Sequence, residues 1–161
     1  MTLSMNGRLV IGLTLVAALW VSIVPLPLWA QWGRPDLVTI VVLYWIMALP
    51  ERMGIVFGWT VGLVQDIVEG SVLGQHAFAL AILSYLALIL YQRLRMFTPV
   101  QQAWVIFIFT ALNQLLCHWV QTLVGAVPFN LLFMLPAVIS ALLWPFASVF
   151  LRDLRRSYFI T

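Results

Sequence analysis

Apolar residues run through this chain in six long stretches, and short polar breaks separate each stretch from the next. A helix needs about 20 residues to cross the hydrocarbon core of a bilayer, with a range of about 17 to 25. Six crossings would therefore use most of the 161 residues. The pattern predicts an all-α, polytopic membrane helix bundle that forms a single domain over residues 1–161. The predicted transmembrane helices cover residues 9–30, 36–50, 53–68, 76–92, 100–124 and 131–151.

Composition also indicates a bilayer protein and leaves no room for a second domain. The chain is 64% hydrophobic and only 8% charged, whereas soluble domains carry about a quarter charged residues. About 40 residues remain for termini and loops, which is too few for a soluble catalytic domain on either side. The second and third stretches have only about 15 residues each, which is short for a crossing. Either neighbouring helices shelter them, or one of them is partly re-entrant.

The positive side-chain charge comes entirely from arginine, and its distribution predicts a topology. If the N-terminus is cytoplasmic, six helices leave only Arg34 outside, as the positive-inside rule requires. We therefore expect both termini to lie in the cytoplasm. No segment offers the exposed basic face that nucleic acid would need, and the C-terminal arginines are expected to touch lipid headgroups. The arginines predicted inside are Arg8, Arg52, Arg93, Arg95, Arg152, Arg155 and Arg156.

The first stretch is expected to be an uncleaved helix that ends near the outer membrane surface. It is longer than the apolar region of a typical signal peptide, and no small residue stands three positions before a cut after Ala30. Pro25 and Pro27 would disrupt its last turn, because proline lacks a backbone N–H. Trp29 and Trp32 suit the aromatic belt at the interface.

Glycines recur at four-residue intervals in the third stretch and place a stripe of small residues on one helix face. Such a stripe lets a neighbouring backbone approach closely, which favours helix association in lipid. Asp66 continues the stripe one turn further toward the outside. The candidate packing glycines, including two that follow the helix, are Gly54, Gly58, Gly62, Gly70 and Gly74.

Five charged or titratable residues are predicted to lie together near the outer face: Arg34, Asp36, Asp66, Glu69 and His76. Asp36 is expected to cap the second helix, where a carboxylate favours the positive end of the helix dipole. For Glu69 and His76, two interpretations remain: solvated loop positions or residues with a functional role. Asp66 needs a partner or a task, because a carboxylate within a membrane is costly. Arg34 is its natural counter-ion, and a structural pin is favoured over a proton or ligand site.

The fifth stretch carries polar residues within an apolar run. Gln114, His118 and Gln121 share one helix face, and Asn113 with Cys117 begins an adjacent one. Buried amides cost free energy unless they bond to another helix, so we expect this polar side to point into the bundle. Cys117 is the single cysteine, which excludes an intrachain disulfide.

Motifs that carry chemistry are absent, and we therefore predict no enzyme, no cofactor and no metal site. The chain lacks the HExxH zinc motif, the Gly-x-Ser-x-Gly elbow and a phosphate-binding glycine loop. Ser71 follows a glycine, but no histidine is evidently placed to act as its base. An intramembrane aspartyl protease would need two facing carboxylates. Asp36 and Asp66 could supply that number, but both lie at helix ends, where water is already available. His76 and His118 do not have metal-ligand spacing.

Several segments in this order resemble the MreD family of bacterial rod shape-determining membrane proteins. They are "RPD" (Arg34–Asp36), "LYWIMALPERMG" (Leu43–Gly54), "GWTVGLVQDIVEGSVLG" (Gly58–Gly74), "YQ" (residues 91–92) and "LLWP" (Leu142–Pro145). The resemblance covers nearly the whole chain, and the block that contains Asp66 is its most specific part.

The resemblance implies a non-enzymatic scaffold in the bacterial inner membrane. Its direct partner would be MreC, and the wider complex would contain penicillin-binding protein 2, RodA and MreB. The resemblance also implies a fold like that of the substrate-binding subunits of energy-coupling-factor transporters. That likeness supports an alternative function, in which the chain binds a small molecule or lipid in an outward-facing pocket lined by Asp66, Arg34 and the amides of the fifth helix.

Overall fold

A computed structural model describes residues 5–25, 27, 33–125 and 134–158, and these residues form six α-helices. Each helix overlaps one of the six predicted stretches, so the expected all-α bundle is confirmed. The helices are α1 (Met5–Ile23), α2 (Leu37–Ala48), α3 (Ile55–Glu69), α4 (Gln75–Leu94), α5 (Pro99–Leu123) and α6 (Leu135–Ser157).

The first and the last helix of the chain differ most from their predicted bounds. α1 ends at Ile23, two residues before Pro25, because a residue that precedes proline is biased away from the helical conformation. The predicted end at residue 30 is therefore wrong. Trp29 and Trp32 lie outside the described residues. α6 continues six residues past the predicted end and carries Arg152, Arg155 and Arg156 on helical backbone.

Three helices in the described part of the chain, α4, α5 and α6, are long and apolar enough to cross a membrane. Residues Gly7–Ile23 of α1 and the whole of α2 are apolar but shorter. α3 has 15 residues, so it measures about 22 Å along its axis. The short second and third stretches of the sequence therefore correspond to short helices.

The short α2 is the centre of the core. Its 12 residues span only about 18 Å, and nine of them, from Val38 to Ile46, are buried. α1, α4, α5 and α6 all contact it. Trp45 is fully buried, and its indole Nε1 donates a hydrogen bond of 3.0 Å to Thr14 Oγ1 of α1. Neighbouring helices therefore shelter α2 from lipid, as one of the two sequence interpretations required.

α3 and α4 form the closest helix pair, and two glycines permit the approach. A Cβ atom added to Gly62 would lie 2.5 Å from the backbone N and Cα of Ala77. One added to Gly58 would lie 1.9 Å from Ser84 Oγ and 2.9 Å from the Leu80 carbonyl oxygen. The two helices can therefore pack in this way only with glycine at both positions.

The other three candidate glycines do not mediate packing, so that part of the prediction is wrong. A Cβ at Gly54, Gly70 or Gly74 would have no atom within 4 Å. Gly54 precedes α3 as its N-cap, outside the helical stripe. Gly70 and Gly74 have φ values of 64° and 93°, in the left-handed region that favours glycine. They turn the chain between α3 and α4.

Alternating helix directions give the bundle two chemically different ends. One, the arginine-rich end, contains the start of α1, the α2–α3 and α4–α5 turns and the end of α6. The other, the carboxylate end, contains the start of α2 with Asp36 and the α3–α4 turn with Asp66 and Glu69. The five charged or titratable residues predicted to share a face thus lie at the carboxylate end, and the seven arginines predicted on the other side lie at the arginine-rich end.

Candidate functional site

Asp66 is the most extensively bonded side chain at the carboxylate end. It is 1% exposed, and its Oδ1 accepts hydrogen bonds from Ser71 Oγ at 2.8 Å, His76 N at 3.0 Å and His76 Nδ1 at 2.8 Å. Its Oδ2 accepts from Gly74 N at 2.9 Å and Ala77 N at 3.3 Å. The carboxylate thus caps the first turn of α4 from the last turn of α3.

Arg34 does not pair with Asp66, and the expected counter-ion is wrong. Its guanidinium instead donates to the carbonyl oxygens of Val21, at 3.1 Å, and Val24, at the end of α1. The last carbonyls of a helix lack helical partners and carry partial negative charge, which suits a cation. His76 is the ion-pair partner of Asp66 when its ring is protonated, because the short α3–α4 turn places it beside the carboxylate.

Ser71, His76 and Asp66 come together at the α3–α4 turn, so the one serine considered as a nucleophile does have a histidine beside it. Ser71 Oγ lies 3.4 Å from His76 Nδ1. However, Asp66 accepts from both the Ser71 hydroxyl and the same Nδ1 atom. In a hydrolase triad the serine bonds to Nε2 while the carboxylate bonds to Nδ1. This arrangement therefore holds a turn together and lacks the geometry of a nucleophile and its base.

Glu69 lies at the edge of the same cluster. Its Oε2 is 3.9 Å from His76 Nε2, and its Oε1 accepts a hydrogen bond of 3.1 Å from Gln65 Nε2. A quarter of its side chain is exposed. Glu69 thus contributes to the surroundings of His76 from the surface, whereas Asp66 is enclosed.

Asp36 builds a second polar cluster that joins α2, α5 and α6. Its carboxylate accepts from Thr39 N at 3.1 Å and Thr39 Oγ1 at 2.7 Å, and so caps α2. Asn113 Nδ2 of α5 donates to Asp36 Oδ2 at 2.7 Å and to Thr39 Oγ1 at 3.1 Å. The Asp36 N–H donates to Ser140 Oγ of α6 at 2.8 Å. Asp36 therefore links three helices, because its carboxylate bonds to α2 and α5 and its backbone N–H bonds to α6.

The polar residues of α5 separate into two groups. Asn113 and Cys117 are buried, and they lie on the face that points into the bundle. Gln114 and His118 are only partly buried, so of the two adjacent polar faces the one with Asn113 points more directly into the bundle. Gln114 Oε1 is buried without a hydrogen-bond partner. Over the described ranges, no group of three or more His, Cys, Asp or Glu side chains could hold a metal ion.

We expect Asn113→Ala to lower the free energy of unfolding by about 1–2 kcal/mol, because two hydrogen bonds between helices are lost. Gln114→Ala is the matched control, with an expected change below about 0.5 kcal/mol, because the side-chain oxygen of Gln114 has no partner to lose. Thermal unfolding in mild detergent, followed by circular dichroism, measures both variants. Equal losses in the two variants would contradict the assignment of Asn113 as the link.

Hydrogen bonds between polar groups thus join the helices at the carboxylate end of the bundle. Comparison of the sequence with known proteins identifies the relatives. The sequence matches the family described as rod shape-determining protein MreD over residues 4–154. The chain belongs to the MreD family. The rod shape-determining protein MreD of Haemophilus influenzae is 30% identical over 141 residues, which are 88% of this chain and 87% of that relative. No solved structure matches the chain at a significant level.

MreD membership confirms the resemblance read from the sequence segments and places the chain among the rod shape-determining membrane proteins. Three long apolar helices agree with that membrane location. The likeness to the substrate-binding subunits of energy-coupling-factor transporters stays a prediction, because no solved structure provides the comparison.

Sequence reasoning missed three residues of the two clusters. Thr39 follows Asp36 by three positions, which is the spacing of a helix cap and its third helical residue, so this pairing could have been found. Ser71 belongs to a turn between two glycines and carried a weak local signal. Ser140 is 104 residues from its partner Asp36, and no local pattern distinguishes it from other serines in apolar helices.

Proposed function

We propose that this MreD-family protein is a non-enzymatic scaffold of the bacterial inner membrane that helps to maintain rod cell shape. MreC is the proposed direct partner. Penicillin-binding protein 2 and RodA are the proposed synthases that it helps to position or regulate, with MreB in the wider complex. Both termini are proposed to lie in the cytoplasm, which puts the arginine-rich end inside as the positive-inside rule requires.

The observation that carries this proposal is that the polar side chains of the carboxylate end bind one another. Asp66 accepts five hydrogen bonds from the α3–α4 turn and the start of α4. Asp36, with Asn113, joins α2 to α5. A cavity of about 690 Å³ lies at the opposite end and is lined by none of these residues. The costly intramembrane polar groups are thus used to hold the bundle's own shape.

A scaffold also needs a surface for its partner, and the helices provide an apolar one. Large side chains such as Trp20 of α1, Trp104 of α5 and Phe146 of α6 are 72%, 68% and 75% exposed. Within a bilayer, helices associate through close packing, because lipid tails are as apolar as leucine. Partner helices and lipid therefore compete for the same kind of surface.

Co-purification with the MreC protein of the same organism tests the scaffold. One double variant on each exposed face is compared with the wild type: Leu13→Ala with Trp20→Ala, Trp104→Ala with Ile108→Ala, and Phe146→Ala with Phe150→Ala. We expect at least one pair to reduce the recovered MreC about tenfold while the variant still elutes as a folded protein. Gln114→Ala, on a partly buried polar position, is the control and should retain MreC.

The alternative, a subunit that binds a small ligand in an outward-facing pocket, predicts a different result. Mass spectrometry of the purified protein would then recover a stoichiometric ligand that is lost in Gln114→Ala. Such a ligand, together with intact MreC binding in all three double variants, would overturn the scaffold. Such a ligand could bond to the buried polar atoms that lack a partner among the described residues, which are Arg34 Nε, Gln65 Oε1, Gln75 Oε1, Asn113 Oδ1 and Gln114 Oε1.

A further inference from the structure

A cavity of about 690 Å³ opens at the arginine-rich end between α2, α4, α5 and α6. This volume lies within the range of small-molecule sites, about 300–1,000 Å³. The last residues of α2 and α4, the first turn of α5 and the second half of α6 form its walls. We call it the arginine cavity.

The cavity wall is strongly basic, and none of the Asp or Glu side chains that the structure describes lines it. Arg95, Arg152 and Arg156 make no ion pair with a carboxylate in the described ranges. Glu51 and Asp153 lie at the same end of the bundle but are exposed and do not line the cavity. Its basic residues are Arg95 from the end of α4 and Arg152, Arg155 and Arg156 from the last two turns of α6.

Behind the arginines, the cavity is apolar and fixed by hydrogen bonds. Trp144 is buried, and its Nε1 donates to Gln102 Oε1 at 3.2 Å. Gln102 Nε2 donates in turn to the Leu94 carbonyl oxygen at 2.9 Å, which ties the start of α5 to the end of α4. On the opposite wall, Arg155 lies beside the side chain of Tyr44, and Met47 adds apolar surface.

We propose that the arginine cavity binds the phosphate headgroup of an anionic phospholipid from the leaflet at the arginine-rich end. The guanidinium groups match phosphate oxygens by charge and by paired N–H donors. The apolar wall formed by Met47, Leu94 and Trp144 matches the glycerol and upper acyl carbons. Basic pockets between membrane helices hold anionic headgroups in this way. This site is independent of the proposed scaffold function.

Native mass spectrometry of the full chain in detergent, titrated with phosphatidylglycerol, tests the site. We expect Arg152→Gln with Arg156→Gln to weaken phosphatidylglycerol binding about tenfold or more, because charged hydrogen bonds to phosphate are lost. Arg8→Gln with Arg93→Gln is the matched control. It removes the same charge from the same end of the bundle, at two exposed positions that do not line the cavity, and binding should change less than about threefold.

A third variant leaves all arginines in place and fills the space. Ala48 lines the cavity at the last residue of α2, and Ala48→Phe should also reduce phosphatidylglycerol binding. Equal losses in the two arginine pairs would show surface attraction alone and overturn the proposal. Unchanged binding in Ala48→Phe would also overturn it.

Two further probes identify the ligand class. Phosphatidylcholine, whose headgroup has no net charge, should bind at least about tenfold more weakly than phosphatidylglycerol. Inorganic phosphate at millimolar concentration should not displace phosphatidylglycerol, because it makes no contact with the apolar wall. Full displacement by phosphate would assign the cavity to a soluble anion and overturn the lipid proposal. If the co-purification experiment found no MreC binding while phosphatidylglycerol still bound, only the scaffold proposal would be overturned.

Discussion

Asp66→Ala is expected to lower the free energy of unfolding by about 3–5 kcal/mol, the range for breaking a buried charge network. The substitution removes an acceptor of five hydrogen bonds. It leaves the N–H groups of Gly74, His76 and Ala77 without their partner at the first turn of α4, where helical partners do not exist. Reduced accumulation in the membrane and a lower unfolding midpoint in detergent should report this loss.

Glu69→Ala is the matched control for Asp66→Ala. Glu69 is also a carboxylate of α3, but a quarter of its side chain is exposed and it accepts one hydrogen bond, from Gln65. We expect it to cost less than about 1 kcal/mol. Asp66→Asn should fall between the two, because its amide nitrogen cannot accept from backbone N–H groups. Normal accumulation, normal MreC binding and normal rod shape in Asp66→Ala would contradict the role of this residue.

Gly62→Ala is expected to cost about 3 kcal/mol, the upper part of the range for overpacking. The added Cβ would lie 2.5 Å from backbone atoms of Ala77, and backbone cannot yield as a flexible side chain can. The α3–α4 pair would have to separate, which would also lengthen the Asp66 contacts with α4. Unfolding midpoints in detergent measure the effect.

Gly12→Ala provides the control for the glycine prediction. Gly12 lies inside α1, as Gly62 lies inside α3, but a Cβ there would have no atom within 4 Å. Alanine favours a helix interior over glycine by about 1 kcal/mol, so Gly12→Ala should be neutral or slightly stabilising. A loss in Gly12→Ala as large as in Gly62→Ala would refute the packing explanation.

The sequence predicted the helices well, because apolar runs of membrane length have few alternatives in a chain with so little charge. It predicted the ends poorly. α1 stops before Pro25, because the residue ahead of a proline disfavours the helical conformation. α6 continues through Arg152 and Arg155, because a helix can extend past the apolar segment once its polar residues reach the interface. Hydropathy describes the segment that lipid covers and does not determine where the backbone hydrogen bonds stop.

The candidate site shows the same division between local and distant information. The partners of Asp66 lie within eleven residues of it, across the short turn that leads from α3 to the start of α4, where a carboxylate is favoured. Charge alone favoured Arg34 instead, because topology assigns side chains to a membrane face without ranking distances on that face. The Asp36 contacts with Asn113 and Ser140 cross 77 and 104 residues, and a single sequence has no record of such pairings.

The buried position of α2 has a consequence for how this protein is made. α2 leaves the ribosome soon after α1, with a length of about 18 Å against the ~30 Å of the hydrocarbon core. Three of the four helices that contact it, α4, α5 and α6, are synthesised later, and Asn113 and Ser140, which bond to Asp36, arrive with the last two.

α2 therefore cannot settle as an independent membrane segment when it emerges. It completes its hydrogen bonds and its apolar cover only when Leu135–Ser157 has joined the bundle. Assembly of the core around α2 is thus a late, collective step, and a nascent chain released before its sixth helix would lack the Ser140 contact of Asp36 and the part of the apolar cover that α6 provides.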